Sequence, residues 1–174
     1  MAGLCSFIGA ASAQSVQPST ACLLVYGQGR NFEAGQDQKN LWWDSVNMLF
    51  TQQVQLVLAS AGRVSIPVSY KASEIDLPRN LGLLLDNALQ QGCNQVLETT
   101  FFADPESQTL KARIRLYPLL GLKGPLSADA QIRIGEPIYT SERDFEWSQR
   151  TLVRLNLAAV ARSMAEEALP YLLR

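Results

Sequence analysis

The chain has 174 residues, long enough for one domain with a buried core. Fifteen Lys and Arg stand against sixteen Asp and Glu, a net charge of −1, so no strong field draws nucleic acid or an anionic bilayer. Histidine is absent and the three cysteines form no Cys-x-x-Cys pair. This excludes a Ser-His-Asp or Cys-His device within the chain and leaves no metal site or cofactor to expect.

The N-terminus reads as an address. An apolar run from Leu4 to Ala10 leads into Ala11-Ser12-Ala13, the small-x-small pattern of a signal-peptidase site. Residues 1–13 are therefore expected to be a signal peptide and 14–20 a flexible segment, with the mature chain starting at Gln14. The basic n-region is missing, because no Lys or Arg precedes Arg30. Neither Cys5 nor Cys22 has the surroundings of a lipidation site. Past the leader, no apolar stretch approaches the about 18 residues of a membrane span.

Residues 21–174 read as one α/β domain. Ala21 to Tyr26 is a short continuous apolar run, as in a strand buried on both faces. Gly27 to Gln38 is a polar loop. Its Gly27-Gln28-Gly29 opens like a dinucleotide loop, but Phe32 stands where the third glycine belongs. From Gln38 to Ala61 the pattern is helical, with Trp42, Val46, Leu49, Phe50, Val54, Val57 and Ala61 on one face. Arg63 to Tyr70 alternates like a strand, with Val64, Ile66 and Val68 on one side. Pro67 places it at a sheet edge, since proline cannot donate to a ladder. A second helix is expected from about Pro78 to a stop at Gly92.

A hairpin follows, Asn94–Phe102 and Thr109–Tyr117, with its turn at Asp104-Pro105-Glu106-Ser107. Pairing Asp104 with Ser107 sets Leu97 opposite Ile114, Phe101 opposite Leu110 and Glu98 opposite Arg113, giving one apolar face and one charged face. After Gly121, Gly124 and Pro125, Ala130 to Tyr139 is expected as a strand with Ile132 and Ile134 inward. Ser141 with Arg143-Asp144 resembles a helix entry, and one long helix is expected to run to Leu169 before Pro170. The order β-α-β-α-β-β-β-α predicts a single-domain sandwich, a mixed sheet of about five strands with helices packed on it.

Four groups of residues are candidates for contact. Trp42 and Trp43 both fall in the apolar arc of the first helix, where core packing is the plain reading and a partner hot spot the sharper one. Lys111, Arg113, Arg115 and Arg133 form either a basic stripe for an acidic partner or a solvated face of local ion pairs. The closing helix carries Val153, Leu157, Val160 and Met164 as one stripe, with Leu152 and Leu155 outside it as a second apolar edge. The carboxylates, among them Glu74, Asp76, Glu166 and Glu167, form no recognisable catalytic pair, so no enzyme is expected.

The stretch from Leu84 to Leu116, Leu-Leu-Asp-Asn-Ala-Leu-Gln-Gln-Gly-Cys-Asn-Gln-Val-Leu-Glu-Thr-Thr-Phe, a turn, then Lys-Ala-Arg-Ile-Arg-Leu, resembles the helix, strand and hairpin of a bacterial envelope group. The group comprises penicillin-binding-protein activator lipoproteins, the curli-secretion lipoprotein and the TolB N-terminal domain. A second similarity is to auxiliary lipoproteins of envelope lipid-transport systems. The first resemblance implies non-enzymatic binding or assembly parts and carries no functional residue across. It also implies that the strands after Ala21 and Gly92 are parallel neighbours, which brings Cys22 and Cys93 within disulfide range.

The expected function is an exported accessory domain that binds an envelope protein through the closing helix, with the Gly27 to Gln38 loop as a second contact; the same C-terminal helix could instead pair two copies of the chain. The alternative is a small-molecule or lipid-binding component of an envelope transport system, with an apolar cavity between sheet and helices.

Overall fold

A computed structural model describes residues 22–71, 76–121 and 132–172. The leader expected at 1–13, the segment at 14–20, Glu74 and the connection around Gly124 and Pro125 lie outside these residues. The elements in chain order are β1 (Cys22–Gln28), α1 (Asp37–Ser60), β2 (Ser65–Tyr70), α2 (Leu77–Gln91), β3 (Cys93–Asp104), β4 (Thr109–Leu120), β5 (Arg133–Ile134), β6 (Tyr139–Glu146), α3 (Gln149–Arg154), α4 (Leu157–Ala168) and a 3-10 turn (Leu169–Tyr171).

They build an α/β sandwich on a mixed sheet of six strands, in the order β2-β1-β3-β4, after which β6 and β5 pair with successive parts of β4. Strands β2, β1 and β3 are parallel, while β3, β4 and β6 are antiparallel. As Pro67 requires, β2 lies at the edge. Leu23 donates to the Val64 carbonyl and Gly29 to that of Tyr70, so the even-numbered residues of β2 face β1 and Pro67 faces the open side.

Two apolar layers hold the sheet. On one face α1 and α4 cover Leu23, Val25, Leu97, Phe101, Leu110, Ile114 and Leu116. On the other, α2 sets Leu84 and Ala88 against Leu24, Val96 and the Cys22–Cys93 disulfide. The two cysteines are register partners on β1 and β3, with Cα atoms 4.2 Å apart. Asp76 caps α2 by accepting from the Arg79 amide, and Gly92 ends it at a φ of 68°, which only glycine adopts without strain.

Polar side chains complete what β1 leaves unfinished. Pairing between β1 and β3 stops at Gly27 with Thr99, so the β3 edge beyond would have unpaired peptide groups. Asn47, in the middle of α1, takes the place of a strand: its amide donates to the Phe101 carbonyl at 2.9 Å and its oxygen accepts from the Phe101 N–H at 2.8 Å. Asn31 does the same for Ala103, at 2.7 and 2.8 Å. Asn40 closes the loop by a third such pair to Glu33, so the stretch from Gly29 to Gln36 is tied at both ends. Thr51 bonds to Thr99 at 2.8 Å, and a Cβ at Gly27 would meet its hydroxyl at 2.4 Å. Helix α1 lies this close because position 27 has no side chain.

Four sequence expectations need correction. First, the hairpin pairs Asp104 with Thr109, which shifts the register by two: Leu97 faces Leu116, Phe101 faces Ala112 and Glu98 faces Arg115. Gln108 adopts a φ of 52° and lengthens the loop. A shift of two keeps each residue on its face.

Second, the strand expected from Ala130 to Tyr139 is, within the described residues, only Arg133–Ile134. Ser141 and the residues after it, expected to enter a helix, belong instead to β6, whose Tyr139, Ser141, Arg143 and Phe145 turn inward. Third, the long closing helix is two. Ser148 caps α3, Leu155 is extended, and Asn156 caps α4 by accepting from the Ala159 amide. Fourth, the buried arc of α1 is Asn40, Trp43, Asn47, Phe50, Thr51, Val54 and Leu58, so the inward face is rotated from the one expected.

Candidate binding surfaces

Rotation of α1 gives the two tryptophans different surroundings, although their rings meet edge to face with centroids 4.6 Å apart. Trp43 is 3% exposed and packs on Phe101, whereas Trp42 is 42% exposed. With Trp42 on the outer side stand Leu41 at 62%, Met48, Leu49 and Leu56 at 59%. At 100° per residue these five cover a continuous arc of the helix, with Ser45 and Gln52 among them. No charged residue lies between Ser45 and Ser60. A helix that is apolar on its outer side as well as its inner one has a surface suited to contact. Composition carried this signal, through the uncharged run; periodicity hid it, because two apolar faces share one helix.

The C-terminal helices differ from expectation in the same way. Leu157 and Met164 are buried and Val160 is partly so, but Val153 is 81% exposed, because α3 is turned relative to α4. Leu152 and Leu155, expected at an outer edge, pack partly buried against the main core. Glu167 is exposed, as expected, and also pairs with Arg143 of β6, which donates to Ser163 at 3.1 Å.

Away from α2, the second face of the sheet is charged. Lys111 has Asp104, Glu142 and Asp144 at 3.6, 3.2 and 3.7 Å, and its hydrogen bond to Glu142 holds its ammonium above the ordinary lysine value. Arg113 is buried beside Glu98 at 3.6 Å and Glu142 at 3.9 Å. Burial lowers its pKa, against the pull of Glu98. The hydrogen bond to Tyr117 holds Arg115 above its ordinary value. Arg133 stands apart, on β5 opposite Leu120. The structure thus brings Lys111, Arg113 and Arg115 together as one row, interleaved with carboxylates, and leaves Arg133 outside it. At the middle of the row two buried polar atoms have no hydrogen-bond partner, Thr100 Oγ1 and Arg113 Nε, on residues that face each other across the strands.

Where this charged row meets the N-terminal end of α2, a cleft of about 340 Å³ opens over the sheet. Tyr26 and Tyr117 lie on its floor, with Arg30 and Glu98 beside them. Burial pushes the Tyr26 hydroxyl up to about 12, with the Glu98 carboxylate adding to the effect, and burial raises Tyr117 too. The interior between sheet and helices is filled by the two apolar clusters, and the clefts among the described residues are open to the surface. Among the described residues no group of His, Cys, Asp and Glu is arranged to hold a metal ion, and no helix is long and apolar enough to cross a membrane.

No protein-family model and no curated protein sequence matches the chain. Among solved structures it is similar to a dodecamer of a PelC point variant from Paraburkholderia phytofirmans, at 12% identity over 94% of this chain and 96% of that one, with a TM-score of 0.39. A likeness of that size carries no function across.

Proposed function

We propose that this protein is an exported, non-enzymatic accessory domain of the bacterial cell envelope that acts by binding another protein, and that the outer side of α1 makes the contact. The observation that carries this reading is the uncharged outer arc of Leu41, Trp42, Met48, Leu49 and Leu56 on a helix whose inner side already fills the core. Contiguous exposed apolar residues rimmed by polar groups are characteristic of interaction sites, and Trp is enriched where binding energy concentrates. The Cys22–Cys93 disulfide supports export, because such bonds persist in oxidising compartments. The resemblance of Leu84 to Leu116 to envelope assembly lipoproteins points to the same compartment.

The test is a photo-crosslinking residue placed at Leu49 or, as a control, at the exposed Arg150 in the full-length protein in the envelope of its host. A discrete adduct is expected from position 49 alone, and Leu56→Glu should abolish it while changing unfolding free energy by no more than about 0.5 kcal/mol. Equal labelling from both positions, or an adduct indifferent to Leu56→Glu, overturns the assignment to α1. Intact mass then checks the address: a mature chain beginning at Gln14 is expected.

A further inference from the structure

The cleft beside α2 lies at a place the topology favours. The chain leaves β1 for α1 on one face and leaves the neighbouring β2 for α2 on the other, so the connections diverge at the carboxyl ends of these two strands. In open α/β sheets, ligands bind in the crevice beyond the carboxyl ends of the strands at such a point. The cleft touches Tyr26 and Gln28 at the end of β1, Arg30 just past it and the first turns of α2. Its volume of about 340 Å³ falls at the small end of ligand pockets, about 300–1,000 Å³.

Its lining selects a chemistry. Leu81, Leu84, Val96 and Ile134 give apolar walls. The charged groups are Arg30 and Glu98, whose positions differ in one respect. Glu98 also has Arg113 at 3.6 Å and accepts from the Tyr117 hydroxyl at 3.0 Å, and its side chain is only 14% exposed. Arg30 is the exposed partner, held to Glu98 at 3.8 Å and lying over the Phe102 ring at 5.0 Å. Turning Arg30 toward a ligand therefore leaves Glu98 satisfied, and the guanidinium has a fork suited to a carboxylate.

We propose that this cleft binds a carboxylate-headed aliphatic chain of medium length, its head on Arg30 and its tail along the apolar walls beside α2. Cleft and α1 stripe lie on opposite faces of the sheet, so the two sites are independent.

Calorimetric titration of the disulfide-intact protein with decanoate, decan-1-ol and decylamine, each below its aggregation concentration, tests it. Saturable 1:1 binding of decanoate is expected, with decanol and decylamine each weaker by about tenfold or more, since a charge-assisted bond to guanidinium is lost. Arg30→Gln, an exposed change, should weaken decanoate by a similar factor and leave decanol unaltered. Leu81→Trp, which crowds the mouth, should weaken both. No saturable binding of decanoate, equal binding of all three probes, or indifference of decanoate to Arg30→Gln overturns the proposal.

Discussion

Beneath α1 and α4 the sheet is closed by aliphatic and aromatic side chains, and Asn47, Thr51 and Thr99, which enter between α1 and the sheet, are bonded. Under α2 the opposite face is closed at one end only, and the remainder is a row of charges with two unpartnered buried atoms. The two faces teach different lessons about what stabilises a sheet. On the first, side chains are fixed by volume and by bonds that no other group supplies. On the second, ion pairs half in water contribute little each, and the buried ones offset their own desolvation.

The largest contrast is expected from Phe50→Ala on the first face. Phe50 is wholly buried between α1 and the sheet, so urea denaturation should show a loss of about 3–5 kcal/mol. Asn47→Ala should come next, at about 2–3 kcal/mol, because it strands a buried N–H and a carbonyl of Phe101. A loss below about 0.5 kcal/mol would mean that water replaces the amide and that the edge of β3 is wetter than its burial indicates.

On the second face the sign should reverse. Thr100→Val removes a buried hydroxyl that has no partner, so stability should hold or rise by up to about 1 kcal/mol in the same assay. A clear loss would make the two faces alike.

The same comparison is sharpened through pH. Folding favours the neutral Tyr26 phenol, whose pKa rises from 10.0 to about 12. Its contribution is therefore complete below pH 10 and fades as pH climbs through 10 toward 12. Tyr26 is only partly buried, and solvent screening limits the effect to below about 2 kcal/mol. Stability measured between pH 9 and 12 should fall less steeply in Tyr26→Phe than in the unaltered chain. Parallel curves would show that the hydroxyl is wet.

The parts of the fold legible in the sequence are those with local causes. Gly92, Pro78 and the repeating leucines defined α2, the Asp104-Pro105 turn marked a hairpin, and Pro67 put β2 at the edge. Elements governed by distant partners were not legible. The inward positions of β6 are Tyr, Ser, Arg and Phe, and Arg143 finds its partners only on α4, so hydropathy alone cannot reveal the strand. The inward arc of α1 holds three polar residues because β1 ends before β3 does, a fact that no window around Asn47 contains. Of the candidate contact residues, Trp42 lies on the outer arc, and Lys111, Arg113 and Arg115 share one face. Met48 and Leu56, which extend the arc, lie in the uncharged run from Ser45 to Ser60, while Leu41 stands between Lys39 and Asp44 and carries no such signal. Arg30, just past β1, and Tyr117 of β4 line the same cleft although they are distant in sequence.

The bond between Cys22 and Cys93 spans 71 residues and encloses β1, α1, β2 and α2 in one covalent ring. A protease that cuts once inside that ring leaves a single molecule of almost unchanged mass, still joined across the sheet. Such a clipped chain would run as intact protein on a gel until reductant is added, and would then fall into two pieces. Integrity of this protein after exposure to proteases is therefore meaningful only when reduced and unreduced samples are compared side by side.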